Sequence, residues 1–322
     1  MDRDLPLNLG RVTEAAALSS AKWLGKGDKN AADKAAVDGM RRMFDTVNID
    51  GTVVIGEGEM DEAPMLYIGE KIGKAKGNSV EVDIAVDPLD GTISVANGLP
   101  NAISVVAVAP KGCLLHAPDT YMKKIAVGPK AKGAIDIHKS TRENIENVAR
   151  ALDKPVNDIT VVVIDRPRHD KLVKEIREIG ARIKMISDGD VLGAISTCFD
   201  YTGVEILMGI GGAPEGVISA AALKCLDGEL QGILAPATDE QKERCLKMGA
   251  ELDKVYYIDD LAKGDQMCFA ATGVSYGELL DGVKYMSNNT ASTHSLILRS
   301  ETGTVRFMEA IHELDKKPKY AK

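Results

Sequence analysis

The chain has 322 residues, of which 44% are hydrophobic and 27% are charged, and these values are typical of a folded globular protein. Its formal net charge is −8, and aromatic residues make up only 4% of it. Because nucleic-acid-binding proteins need a basic face and aromatic platforms for base stacking, this composition argues against that class.

The N-terminal sequence, MDRDLPLNLGRVTEAA, predicts a cytoplasmic protein. It carries mixed charges and lacks the basic start and apolar run of a secretory signal. The longest apolar stretches, residues 159–164 and 217–222, are far shorter than the roughly 20 residues of a membrane-spanning helix. The five cysteines are widely spaced and form no CxxC pair, which indicates reduced thiols rather than disulfides or a zinc site.

Apolar spacing predicts two helices at the beginning of the chain, over residues 9–24 and 31–47. Runs of β-branched residues then predict strands at 52–55 and 80–86, and we expect Pro88 to end the second of these. Two apolar runs on either side of Pro110 suggest a hairpin. After a predicted helix at 144–151, the segment LDKPVND is the expected boundary between two lobes, 1–157 and 158–322.

Beyond residue 158 the pattern changes to a regular alternation of strands and helices. Strands are predicted at 159–164, 181–186 and 204–208, and helices are predicted at 169–179, 191–199 and 217–226. This alternation is typical of βαβ units that build a parallel sheet. We therefore expect an α/β fold of mixed α+β character with two lobes.

Acidic residues cluster at the ends of the predicted elements of the first lobe. The sequence VDIAVDPLDGT places Asp87 and Asp90 at a strand end, with Thr92 beside them. Further acids lie in residues 57–62, after another strand, and in residues 28–33, at a helix start. A DPxDG sequence alone is often an ordinary turn. Three acidic clusters aimed at one point would repel one another, however, and they predict a site for one or two divalent cations.

The second lobe carries residues that could hold a phosphate. Arg166 and Arg168 follow a predicted strand and precede a predicted helix. Guanidinium groups match the geometry of phosphate oxygens. Cations are unfavourable at the positive N-terminal end of a helix, which argues against a purely structural role for the two arginines there. The sequence GIGGAPEG, residues 209–216, matches neither the dinucleotide fingerprint nor the P-loop, so we interpret it as a glycine-lined turn whose Glu215 could reach the metal cluster. In SDGDV, residues 187–191, one acid can cap a helix while the other binds sugar hydroxyls.

Seven motifs in order resemble the class II fructose-1,6-bisphosphatases of the GlpX type, over nearly the whole chain. They are AAALSSAKWLGKGDKNAAD, VVIGEGEMDEAPMLYIGEKIG, VDPLDGT, APDTYMKKIAVGP, RPRH, SDGDV and GIGGAPEGVISAAALK. The resemblance implies membership of the lithium-sensitive, metal-dependent phosphatases, with the five-layer α/β/α/β/α sandwich of the sugar phosphatases. It also implies that 1–157 is a metal-binding lobe and 158–322 a substrate-binding lobe.

The resemblance also implies roles for individual residues. Its implied metal ligands are Asp33, Glu57, Asp87, Asp90 and Glu215. Its implied substrate contacts are Asp90, Gly91, Thr92, Tyr121, Arg166, Pro167, Arg168, Asp188, Gly189, Asp190 and Gly212. Asp61 and Thr92 are expected to orient or deprotonate the attacking water. The family usually has Glu where Asp90 stands, and the shorter side chain withdraws the carboxylate by about 1.5 Å, which we expect to affect metal occupancy or preference.

The implied reaction is hydrolysis of the 1-phosphate of fructose 1,6-bisphosphate by water that Mn²⁺ or Mg²⁺ activates, a step of gluconeogenesis. Fructose 6-phosphate and phosphate would be the products. Alternatives are a sedoheptulose-1,7-bisphosphatase or dual-specificity bisphosphatase, an inositol phosphatase, or a sugar-phosphate sensor without turnover. We expect a small sugar bisphosphate as partner, no nucleic acid or membrane, and a homo-oligomer that is a dimer or a tetramer.

Overall fold

The computed structural model describes residues 1–58, 63–75 and 79–317. Helices and strands occur throughout, and the mixed α/β class predicted from the sequence is confirmed. No helix in this described part of the chain is long and apolar enough to cross a membrane. The α-helices are α1 Leu5–Ser20, α2 Lys29–Phe44, α3 Thr92–Asn97, α4 Thr141–Ala151, α5 Asp170–Ile179, α6 Val191–Ser196, α7 Ala213–Cys225, α8 Asp239–Lys247 and α9 Ile258–Leu261. The strands are β1 Asp50–Ile55, β2 Lys71–Ile72, β3 Glu81–Asp90, β4 Ile103–Pro110, β5 Tyr121–Val127, β6 Thr160–Ile164, β7 Arg182–Ile186, β8 Ile206–Gly212, β9 Glu229–Leu234, β10 Tyr256–Tyr257, β11 Cys268–Gly273, β12 Lys284–Met286, β13 Thr290–Arg299 and β14 Thr304–Glu313.

The chain divides into two compact units. The first unit comprises Met1–Leu114 and Gly264–Lys322, and the second unit comprises Leu115–Lys263. These bounds differ from the predicted division at residues 157 and 158, because the C-terminal strands return to the first unit. There β11 pairs antiparallel with β4, β13 pairs with β11, and β14 pairs with β13. The first unit is therefore built from both ends of the chain.

The first unit contains a sheet in the order β12-β13-β11-β4-β3-β1-β2, with β14 paired to β13. Helices α1 and α2 pack on this sheet, and their apolar side chains join those of the central strands in one core. Leu9 of α1 and Phe44 of α2 are fully buried in that core together with Ile84 of β3. This packing fixes α2, which carries Asp33, against the strand that carries the predicted DPxDG acids.

Strand β3 does not end at Pro88, so the prediction made from the sequence is wrong at this point. The strand continues to Asp90, and its pairing with β4 shifts register between Asp87 and Asp90. Proline lacks the N–H that a regular ladder needs, and a bulge-like irregularity accommodates it within a strand. The predicted hairpin around Pro110 is also wrong, because β4 pairs with β3 and β11 instead.

The second unit confirms the predicted βαβ alternation. Its sheet has the order β10-β9-β5-β8-β6-β7, with β6 parallel to both β7 and β8. Ile145 of α4 and Ile176 of α5 share a core with Val161 of β6. Val162, the next residue along β6, lies beside Gly193 of α6. Because successive residues of a strand point to opposite faces, helices cover both faces of this sheet.

Replacing Phe44 with Ala is expected to destabilise the protein by about 3–5 kcal/mol, because the fully buried ring would leave a cavity between α2 and the sheet. Arg42→Ala, at an exposed position of the same helix, is expected to change stability by no more than about 0.5 kcal/mol. Urea unfolding followed by circular dichroism compares the two variants with the wild type. Equal unfolding midpoints for both variants would show that α2 is not anchored through this ring.

Candidate functional site

The first acidic pair joins the beginning of α2 to the end of β1. Asp28 caps α2, because its Oδ1 accepts a hydrogen bond from Ala31 N at 2.9 Å, and Asp33 follows one turn later. Glu57 follows the end of β1. Burial and the negative charge of Asp33 together raise the pKa of Glu57 to about 8, and burial also raises the pKa of Asp33. Two partly buried carboxylates are thus held near each other, an arrangement that a cation would stabilise.

The second acidic group lies at the C-terminal end of β3. Asp87 Oδ1 accepts a hydrogen bond at 3.0 Å from the backbone N–H two residues further on, and Asp90 is buried. Gly91 follows with a φ of +113°, and a Cβ at that position would lie 3.0 Å from Ala102. Only glycine fits this conformation and this close approach. Thr92 then begins α3, which places its hydroxyl next to the two acids in the chain.

Among the described residues, no group of three or more His, Cys, Asp or Glu side chains lies in position to hold a metal ion. The predicted catalytic residue Asp61 lies in the segment 59–62, outside the described residues. In the first unit, the predicted ligands that the structure does describe are the Asp33–Glu57 pair and the two acids of β3.

A buried lysine holds the predicted substrate residue Asp190 in the second unit. Lys124 of β5 is 2% exposed, and Asp190, which precedes α6, is 4% exposed. Lys124 Nζ lies 2.5 Å from Asp190 Oδ2 and donates a hydrogen bond to Gly212 O at 3.0 Å. Asp190 Oδ1 is also buried, and no described residue donates a hydrogen bond to it. Since buried polar atoms are normally paired, this oxygen is suited to accept a hydrogen bond from a ligand.

Glu215 lies in the first turn of α7, at a direct junction between strand and helix. Strand β8 ends at Gly212 and α7 begins at Ala213, so the glycine-rich sequence is not the separate turn that we predicted. A Cβ at Gly212 would lie 1.8 Å from Glu215 Oε2, and a Cβ at Gly211 would lie 2.1 Å from Asp190 Oδ2. The glycines therefore allow two carboxylates to approach the backbone of β8.

The environment of Glu215 disfavours an isolated negative charge. Burial raises its pKa, the positive charge of Lys124 opposes that shift, and the negative charge of Asp190 adds to it. Its Oε2 is inaccessible to solvent and has no hydrogen-bond partner in the described chain. A carboxylate oxygen in this position is suited to a cationic ligand.

The predicted phosphate-binding residue Arg168 contacts Tyr121 in the second unit. Its guanidinium Cζ lies 4.7 Å from the centroid of the Tyr121 ring. Its Nε and Nη2 donate hydrogen bonds to Ile210 O at 3.0 and 2.8 Å, and Pro167 begins the short 3₁₀ turn that carries it. Because a guanidinium has five N–H groups, these two bonds leave three for an anion.

Arg166 is tied to the SDGDV segment. Its Nη1 donates a hydrogen bond to Ser187 O at 2.7 Å, and its Nη2 lies 3.6 Å from Asp188 Oδ1. Gly189, with a φ of +66°, turns the chain before Asp190. Both predicted substrate segments of the second unit, RPRH and SDGDV, are therefore brought together.

His169 supports the same region, and the sequence did not reveal this role. Burial lowers its pKa, so the ring is neutral near pH 7. Its Nδ1 lies 2.7 Å from Ile164 O, and its Nε2 accepts a hydrogen bond from Ile210 N at 2.7 Å. His169 thus fixes the residue whose carbonyl binds Arg168. The five scattered histidines gave no spacing signal, and only the fold shows which of them is placed in this way.

Lys124 was also missed, although the sequence contains a signal for it. In the strand YMKKIAV, Met122 and Ala126 lie on one side of the alternating pattern, and Lys124 lies between them on that same side. A lysine at a buried position of a strand needs an anionic partner. The period of the strand therefore predicts a buried ion pair, but it does not identify the partner.

Comparison with known proteins identifies the family. A family model described as "Bacterial fructose-1,6-bisphosphatase, glpX-encoded" matches residues 3–312. The chain belongs to this family. Fructose-1,6-bisphosphatase 1 class 2 of Escherichia coli (strain K12) is 48% identical over 330 residues, which cover 98% of this chain and 97% of the relative. The class 2 fructose-1,6-bisphosphatases of Escherichia coli O6:H1 and Shigella flexneri have the same identity and coverage. The resemblance seen in the sequence motifs is confirmed.

The described side chains fit the metal on which the phosphatases of this family depend. All the predicted ligands are carboxylates, and hard cations such as Mg²⁺ prefer oxygen ligands. Glu215 presents a buried oxygen without a partner in the described chain, and the pKa of Glu57 is raised by burial and by a second acid. Both features indicate carboxylates that a metal would stabilise.

Glu57→Gln is expected to stabilise the metal-free protein, and to do so more at pH 8 than at pH 5. The folded state raises the pKa of Glu57 from 4.5 to about 8, so its contribution to stability is fully present below about pH 4.5 and is lost as the pH rises through 8. A glutamine has no charge to bury and does not follow this trend. Thermal unfolding in the presence of a chelator, at both pH values, measures the difference. A stability gain that is equal at pH 5 and pH 8 would contradict the raised pKa.

Proposed function

We propose that this chain hydrolyses the 1-phosphate of fructose 1,6-bisphosphate to fructose 6-phosphate and phosphate, as a metal-dependent phosphoric monoester hydrolase of gluconeogenesis. The observation that carries the proposal is the pairing of two partly buried carboxylates, Asp33 and Glu57, within a chain that matches the bisphosphatase family over residues 3–312. The names of the relatives at 48% identity support the same substrate.

We propose that five carboxylates, those of Asp33, Glu57, Asp87, Asp90 and Glu215, hold Mn²⁺ or Mg²⁺. A bound divalent cation would polarise the phosphoryl oxygens and lower the pKa of a water molecule. The chain supplies the negative charge for such an ion and keeps it away from bulk water, since Asp90 is buried and burial raises the pKa of Glu57. The hydroxyl of Thr92 and the carboxylate of Asp61 are proposed to orient and deprotonate the attacking water.

The residues of the second unit are proposed to bind the sugar and its other phosphate. Arg168 keeps three N–H groups for phosphate oxygens and is held in place by Ile210 and Tyr121. Arg166 lies nearby in the chain and adds a second guanidinium. The buried Oδ1 of Asp190 is suited to accept a hydrogen bond from a sugar hydroxyl. Two arginines favour a bisphosphate over a monophosphate substrate.

The remaining predicted contacts are proposed to shape the same site. Gly91 and Thr92 would approach the phosphate that is cleaved, and Gly212 and Asp188 with Gly189 would approach the sugar. A homo-oligomer of two or four chains and a cytoplasmic location stay predictions from the sequence.

Asp33→Asn is expected to lower kcat/KM for fructose 1,6-bisphosphate by at least about 100-fold. Even outer partners of metal ligands cost about 10–100-fold when they are replaced, and a direct ligand is expected to cost more. Asp38→Asn on the same helix removes only the surface pair with Lys34 and is expected to stay within about threefold of the wild type. Phosphate release with Mn²⁺ or Mg²⁺, before and after chelation, is the measurement.

Phosphate release that survives chelation and Asp33→Asn would overturn the metal-dependent mechanism. A panel of substrates separates the alternatives: fructose 1,6-bisphosphate, sedoheptulose 1,7-bisphosphate, an inositol phosphate and fructose 6-phosphate. A preference for the seven-carbon bisphosphate or for the inositol phosphate would show that fructose 1,6-bisphosphate is not the main substrate. Tight binding of the sugar bisphosphate without phosphate release would indicate a sensor instead of an enzyme.

A further inference from the structure

Lys124 is a buried lysine at the junction of the elements that carry the predicted substrate and metal residues of the second unit. It lies in β5, which pairs antiparallel with β8, and it is 2% exposed. A buried ammonium group is unfavourable unless charged and polar partners surround it. Its partners therefore indicate what this lysine does.

Each contact of Lys124 leads to a residue of the proposed site. Its Nζ lies 2.5 Å from Asp190 Oδ2, at the beginning of α6, and donates a hydrogen bond to Gly212 O at 3.0 Å, at the end of β8. The chain continues from Gly212 into α7, which carries Glu215, and the charge of Lys124 is among those that shift the pKa of Glu215. One ammonium group thus connects the start of α6 with the start of α7.

The ion pair leaves the two oxygens of Asp190 in different situations. Oδ2 is bound to Lys124, whereas Oδ1 is buried without a hydrogen-bond partner in the described chain. A Cβ at Gly211 would lie 2.1 Å from Asp190 Oδ2 and 3.0 Å from Lys124 Nζ, so the backbone of β8 leaves no space for this pair to rearrange in that direction. The lysine therefore fixes the direction in which the open oxygen of Asp190 points.

We infer that Lys124 is a positioning residue for substrate binding: it holds Asp190 so that Oδ1 accepts a hydrogen bond from a sugar hydroxyl, and it holds the β8–α7 junction through Gly212. This inference rests on the proposed function. A lysine ammonium group can only donate hydrogen bonds. In this proposal Lys124 donates to Asp190 and acts on the sugar through that residue, without contacting the phosphate.

The test compares the wild type with Lys124→Gln, Asp190→Asn and the double variant that carries both changes. At saturating metal concentration, Lys124→Gln is expected to raise KM for fructose 1,6-bisphosphate by about 10-fold or more, with a smaller effect on kcat. The reason is that Asp190 is no longer held in place to accept the hydrogen bond from the sugar hydroxyl. In the Asp190→Asn background the same substitution is expected to change KM by less than about twofold, because Lys124 acts through Asp190. Calorimetric binding of fructose 6-phosphate measures the same coupling without turnover.

Two controls keep a positioning role apart from a general loss of folding. Lys130→Gln removes an exposed lysine that pairs with Asp200 in the same unit, and its KM is expected to match the wild type. The double variant leaves neither member of the Lys124–Asp190 pair as an unpaired charge, so it reports on binding even where Lys124→Gln alone fails to fold. An unchanged KM in Lys124→Gln, or an equal rise in KM in both backgrounds, would overturn the inference. Wild-type protein that releases no phosphate would overturn the proposed function instead.

Discussion

The partial burial of neighbouring carboxylates, together with their mutual repulsion, is the constraint on which the rest of this structure depends. Asp33 and Glu57 come from different elements, yet they lie close enough, and are buried enough, that the pKa of Glu57 rises to about 8. Removing negative charges from water and placing them together is unfavourable unless a cation joins them. Such an arrangement lowers the stability of the metal-free state, and this cost is the one that the proposed metal site entails.

The two units meet this constraint in different ways. In the first unit, the acids lie at the beginning of α2 and at the ends of β1 and β3, where a packed helix and central strands hold them in place. In the second unit the chain supplies its own cation, since the Lys124 ammonium pairs with Asp190 and partly opposes the burial that raises the pKa of Glu215. Glycines at 211 and 212 are needed there because carboxylate oxygens occupy the space that side chains would fill.

Local pattern predicted much of this fold, and long-range pairing explains most of what it missed. The alternation of strands and helices after residue 158 follows from residue period alone, and β6, α5 and β7 lie where it predicts. The return of β11 beside β4 depends on contacts between residues about 160 positions apart, such as Cys268 and Val108, and no local signal encodes it. Pro88 was misread because a register shift lets a strand continue through a proline.

The site shows the same division between what sequence predicts and what only the fold provides. The acids and arginines could be named from motif and chemistry, and the structure brings RPRH and SDGDV together through Arg166. The supporting contacts could not be named, because the hydrogen bonds from Ile210 N–H to His169 and from Lys124 to Gly212 join segments that are distant in the chain. The residues that we propose to contact the substrate lie in recognisable motifs, whereas the contacts of the residues that hold them in place are seen only in the fold.

The most direct test of the central claim is the number of protons released when Mn²⁺ binds to the metal-free protein at pH 7. Isothermal titration calorimetry in buffers of different ionisation enthalpy measures this number. With its pKa near 8, Glu57 is largely protonated at pH 7 and must lose its proton to bind a cation, so the account predicts release of about one proton per chain. Binding without proton release, or no binding of Mn²⁺ at all, would contradict the account.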